Sequence, residues 1–84
     1  MKEILKHPLS TEKSIRLMEQ ENVLVFVVEE KSNKAEIKAE FERMFKAKVA
    51  TVNTLFNHDG RKRAYIKLKP ETQAIDIATQ LGLM

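Results

Sequence analysis

The longest unbroken apolar run in the chain is Val23-Leu24-Val25-Phe26-Val27-Val28. Six apolar residues in a row are too many for a strand with one wet face. They fit a central strand covered on both sides, although a buried helix segment can show the same run. The β-branched content and the polar flanks decide for the strand. Further on, Ile37, Phe41, Met44 and Phe45 recur at spacings of four, three and one, which places them on one face of a helix over 33–46. Lys34, Lys38, Glu40, Glu42 and Arg43 lie around its other side. Asn33 caps this helix and Glu36 completes a capping box. Lys38 and Glu42, one turn apart, form a surface pair worth about a few tenths of a kcal/mol.

The rest of the chain alternates. From Lys48 to Phe56, Ala50, Val52, Thr54 and Phe56 fall on one face of a strand, and Val49, Thr51, Asn53 and Leu55 on the other. A turn at Asp59-Gly60 leads into a further strand with Ala64, Ile66 and Leu68 on one side and Arg63, Tyr65, Lys67 and Lys69 on the other. Pro70 ends it. A last helix from about Thr72 to Leu81 packs through Ala74, Ile77, Ala78 and Leu81, with Gly82 as its stop. Near the start, Pro8 keeps residues 1–9 extended. Ser10 and Thr11 can cap a short helix, roughly Thr11 to Glu19, whose core contacts are mainly Ile15 and Met18. The order is thus helix, strand, helix, strand, strand, helix. The first two strands should be parallel and joined by a right-handed crossover, with the third fitting between them.

Charge changes the picture. Between Lys46 and Lys69 stand seven basic residues (Lys46, Lys48, Arg61, Lys62, Arg63, Lys67 and Lys69) against one acid, Asp59, while the 84-residue chain carries only +3. The remainder is therefore net acidic, and the basic segment suits a polyanion better than a small molecule. At this length one domain, 1–84, is expected. The absence of cysteine excludes disulfides, thiol chemistry and a cysteine-based zinc site. No secretory signal or membrane-spanning stretch is evident in the sequence, so a cytosolic protein without membrane insertion is expected.

Candidate chemistry narrows to binding. Arg61 and Arg63 can fork onto phosphate, Lys62 can act as a mobile point charge, and Asn57, His58 and the backbone around Gly60 can add donors. Lys6 and Lys13 extend the basic set at the N-terminal end. Tyr65 offers a stacking surface for an unpaired base, or equally packs against a lysine stem or the last helix. His7 and His58 are the only histidines, and their spacing matches no metal motif. No nucleophile is held beside a base, and the glycines, Gly60 and Gly82, form no phosphate loop, so catalysis is not expected. Glu12, Glu19 and Glu21 either balance charge or form an acidic face for a protein partner. A free RNA-binding module and a protein-binding adaptor remain as alternatives. The first would need more exposed aromatics, and the second would not need the basic cluster.

Four segments in order carry a resemblance. They are His7-Pro8-Leu9-Ser10-Thr11-Glu12-Lys13-Ser14, Val52-Asn53-Thr54, Lys62-Arg63-Ala64-Tyr65-Ile66-Lys67-Leu68-Lys69 with Ile77 after seven further residues, and Ile77-Ala78 through Leu81-Gly82. Over essentially its whole length the chain resembles the universal large-subunit ribosomal protein L23 family in a short, archaeal-like form. The resemblance implies an α+β fold, with a small mixed, mostly antiparallel sheet, a split β-α-β core and covering helices. It also implies an added N-terminal strand at about Glu3 to Lys6. Functionally it implies a non-catalytic structural protein, without cofactor, that binds large-subunit rRNA beside the polypeptide exit tunnel. His7 and Asn53 lie in the matching segments and join the RNA-binding set with Lys67. The resemblance further implies the ribosomal protein L29 family as neighbour. Signal recognition particle and nascent-polypeptide-associated complex are implied as factors docking near Glu12. Where bacterial members carry a long basic extension, this chain has only Asn57 to Lys62, so no probe into the tunnel wall is expected. The basic hairpin, Lys46 and Lys48, and Lys6 and Lys13 are expected to gather at one rim as a phosphate clamp.

Overall fold

The computed structural model describes residues 4–57 and 59–82. Its elements run β1 (Leu5–Pro8), α1 (Glu12–Glu21), β2 (Val23–Val28), α2 (Lys34–Phe45), β3 (Val49–Phe56), β4 (Lys62–Leu68) and α3 (Ala74–Gln80). The sheet order is β1-β2-β4-β3, so β4 does lie between β2 and β3. Both of these run antiparallel to β4, which makes β2 and β3 parallel to each other across it. The class is α+β as expected. Every neighbouring pair in the sheet is antiparallel, so the parallel relation exists only between strands that do not touch. The N-terminal strand begins at Leu5 and ends at Pro8, later than the expected Glu3 to Lys6, and Glu3 lies outside the described residues.

All six residues of β2 are buried, in line with the unbroken apolar run. Leu24, Phe26 and Val28 face the main core, where they meet Ile37 and Phe41 of α2, Met18 of α1, and Ala74, Ile77 and Ala78 of α3. Ala64, Ile66 and Leu68 of β4 complete that side, so its strict alternation reflects one face against three helices. Phe26, Phe41 and Phe45 cluster with centroids 4.8 to 6.3 Å apart.

Capping explains where the helices start. Thr11 accepts from Ser14 N, and Ser14 Oγ accepts from Thr11 N, a reciprocal box that starts α1. Asn33 and Glu36 do the same for α2. α1 runs two residues past the expected Glu19, because Asn22 can take the left-handed conformation (φ 58°) that closes it. Met44 is exposed, not part of the core face assigned to it. Glu42 does not pair with Lys38; its Oε2 accepts instead from the backbone N of Val49 at 3.0 Å, and Arg43 forks onto Glu40.

β3 departs from simple alternation. The register shifts between Val49 and Thr51, so Ala50 is an extra residue. The bulge lets Val49 and Val52, three apart, both reach the core, and it leaves Ala50 exposed.

Candidate nucleic-acid interface

The register of the three long strands decides which side chains stand together. Across β2, β4 and β3, Val27 opposes Arg63 and Arg63 opposes Leu55; Val25 opposes Tyr65 and Tyr65 opposes Asn53; Val23 opposes Lys67 and Lys67 opposes Thr51. These nine residues occupy the sheet face away from the main core. His7 of β1 adds to it, opposite Val27. On the β2 side this face is closed over: Val23, Val25 and Val27 are buried, and Leu9, Leu17 and Lys13 line a small cleft with Val25, Arg63 and Tyr65. Towards β3 it is open, with Thr51, Asn53, Leu55 and Lys67 exposed. Tyr65 sits at the border, half-buried, with one flank in the cleft.

Along β4, alternate residues stand about 6.7 Å apart, so Arg63 and Lys67 bracket Tyr65 on one straight line. Arg63 is held in place. With the Asn57 amide oxygen turned towards it, Asn57 accepts from Arg63 Nε at 2.6 Å and from Nη2 at 2.8 Å. Asn57 also closes the hairpin, its N–H donating to Arg61 O and its carbonyl accepting from Gly60 N. Gly60 takes a positive φ of 84°, the backbone state that glycine adopts without strain. Arg61 is exposed beyond the turn, its backbone N–H donating to Asp59 Oδ1. His58 lies outside the described residues.

The single basic rim does not form. Lys46 and Lys48 precede β3, and Arg61 follows it across the hairpin. A strand of eight residues puts them roughly 25 Å apart, nearly the 29 Å length of the molecule. Lys48 Nζ instead lies 3.7 Å from Glu71, and its carbonyl accepts from Lys69 N. Lys46 closes α2 in the left-handed conformation, with φ 51°. Lys62 is also not a free cation on the hairpin. It projects to the helix side opposite Val28, donates to the carbonyls of Ser32 and Glu30, and lies 5.5 Å from the centroid of the Phe56 ring. Lys6 lies 3.7 Å from Glu29 on the edge strand. The expected clamp equates closeness in sequence with closeness in space, and a hairpin breaks that equation for residues at its open and closed ends.

The acidic candidates lie on α1. The Glu12 side chain is 91% exposed and 3.5 Å from Arg16. Glu12 and Glu19 share a shallow depression with Ile15, Arg16 and Gln20, and Glu19 and Glu21 border a wider groove beside Pro70 and Ile75. Among the described residues no group of three His, Asp or Glu side chains could hold a metal, and no helix is long and apolar enough to cross a membrane.

The sequence model of the family described as ribosomal protein L23 matches residues 3–77, nearly the whole chain. The chain belongs to the ribosomal protein L23 family. It is a structural protein of the large ribosomal subunit, associated with the ribosome and its rRNA, and the family is not an enzymatic one. Within the family match lie all four strands, the first two helices and the beginning of α3.

Proposed function

We propose that this L23-family chain acts as a single rRNA-binding domain whose contact surface is the uncovered half of the sheet, not a rim of the fold. The reading rests on one observation: Arg63, Tyr65 and Lys67 project from β4 on the same open face as Asn53 of β3, while His7 of β1 stands apart, beyond the covered β2 side. Asn57 and Arg61 continue this surface at the hairpin, and Lys13 borders it. Arginine and lysine contact phosphates, Tyr65 offers its free flank to an unpaired base, and Asn53 directly opposite can hydrogen-bond a base edge or 2′-hydroxyl. Lys46 and Lys48 form a separate contact at the far end, and Lys6 and Lys62 serve the fold. The site is beside the polypeptide exit tunnel in a short, archaeal-like member of the family, with the L29 family as neighbour. Signal recognition particle and nascent-polypeptide-associated complex dock on the exposed acidic face of α1 through Glu12, Glu19 and Glu21.

Replacing Arg63 and Lys67 by alanine is expected to lower affinity for large-subunit rRNA and to reduce the log–log salt slope by about 0.7–0.9 for each phosphate no longer neutralised. An unchanged slope removes the sheet face from the interface. Glu12→Ala is expected to leave folding and rRNA binding intact and to weaken signal recognition particle on assembled ribosomes. Equal affinity in that titration ends the docking role.

A further inference from the structure

β3 is an outer strand of the sheet, and its free edge differs from the other one. The β1 edge is only four residues long and carries Lys6, Pro8 and a register irregularity between Leu5 and His7, all of which discourage pairing with another chain. β3 runs for eight residues without a charge or a proline, in a chain that is 32% charged. Leu55 and Phe56 are 53% and 57% exposed on it.

Its backbone polarity follows from the hairpin. Asn57 N–H donates inward to Arg61 O, so alternation along an antiparallel ladder turns Leu55, Asn53 and Thr51 towards β4. The N–H and C=O groups of Val52, Thr54 and Phe56 therefore point out of the sheet. Among the described residues no element lies beyond them.

We infer that in the free protein this edge pairs with the same edge of a second copy, antiparallel about a two-fold axis at Asn53. That register is self-consistent at each level. Val52 and Thr54 of one copy exchange outward hydrogen bonds with Thr54 and Val52 of the other. Over the regular part of the strand, beyond the Ala50 bulge, opposed residues keep to the same face: Thr51 meets Leu55 and Asn53 meets Asn53. Two four-stranded sheets become one of eight strands, and the closed two-fold arrangement stops at the dimer because the β1 edges are protected. The neutral strand selects a protein edge over a nucleic acid here, since no cation between Val49 and Phe56 meets a phosphate.

Thr54→Pro tests the inference, because it removes an outward N–H without touching the β3–β4 ladder. Leu55→Lys adds a charge at the paired face and serves if the proline variant fails to fold. Sedimentation of the full chain across roughly a hundredfold dilution is expected to show a monomer–dimer equilibrium set by mass action. Each variant should weaken it by at least about tenfold while retaining the native circular dichroism spectrum. A wild-type chain that is monomeric throughout overturns the inference. So do variants that associate as the wild type does, or a series that grows past the dimer.

Discussion

The side-chain oxygen of Asn22 accepts from the backbone N–H of Ala74 at 2.6 Å, so a residue between α1 and β2 caps a helix fifty-two positions later. α3 needs this, because its own N-cap residue, Gln73, makes no side-chain cap bond. The Asn22 amide nitrogen meanwhile donates to Thr72 O at 2.8 Å and approaches the carbonyls of Leu68 and Lys69. Its backbone carbonyl accepts from Leu68 N. One side chain thus ties the end of α1, the end of β4 and the start of α3 together.

Asn22→Ala is expected to destabilise the fold by about 2 kcal/mol, about half from the missing cap and half from forcing alanine into the left-handed region. Asn22→Gly separates the two terms, since glycine accepts the backbone angle and loses only the side-chain bonds. Urea unfolding of both variants checks this. Equal stability of Asn22→Gly and wild type would show that the cap contributes nothing.

Lys62 yields a prediction opposite to its place in a basic run. Its ammonium group satisfies the carbonyls of Ser32 and Glu30 and lies by Phe56, so it ties β4 to the β2–α2 loop. Lys62→Met keeps the stem and deletes the charge. Stability should fall by about 1 kcal/mol, while the salt slope of rRNA binding stays at the wild-type value. A slope reduced as far as in the Arg63 variant would place Lys62 among the phosphate contacts.

These two residues mark where the sequence stops being legible. β2 and α2 are readable because their signals are local and strong: an unbroken β-branched run, and an apolar face bracketed by a capping box. The alternation of β4 is equally plain, since one face meets three helices, and it correctly turns Arg63, Tyr65 and Lys67 together. The Ala50 bulge is invisible in the sequence because a one-residue shift is set by the partner strand Lys62–Leu68 and the packing of Val49, not by β3 itself. Asn22 looks like an ordinary loop residue, because its partners at 68–74 are distant in sequence. The basic cluster misleads for a geometric reason: a strand separates its ends, so Lys48 and Arg61 count together in a charge sum and stand apart in space.

On α2, Arg43 forks onto Glu40 with Nε–Oε1 at 2.8 Å and Nη2–Oε2 at 2.9 Å. That hydrogen-bonded pairing, with the positive charge beside it, holds the Glu40 carboxyl below the usual glutamate range and raises Arg43. A carboxyl with a depressed folded-state pKa contributes stability that is complete above its unfolded value and lost as pH falls through the folded one. Glu40→Gln should therefore narrow the gap to wild type on the acid side and leave a small, salt-sensitive loss near neutrality. Unfolding midpoints measured from neutral to acid pH, at low and high salt, test both features. A difference that persists undiminished in acid would assign the loss to something other than the charge.

The separation of the basic residues is itself open to measurement. Arg63 and Lys67 share one strand face within about 14 Å, and both bracket Tyr65, so their contributions to rRNA binding should be coupled through the nucleotides they hold in common. Lys48 and Arg61 lie at opposite ends of the β3–β4 hairpin, beyond the range over which substitutions interact. A double-mutant cycle on rRNA affinity should give Lys48 and Arg61 a coupling within about 0.5 kcal/mol of zero. The Arg63–Lys67 cycle should exceed it. If instead Lys48 and Arg61 couple strongly and Arg63 and Lys67 do not, the RNA is gripped by the two ends of the hairpin, and the face between them is not the binding surface.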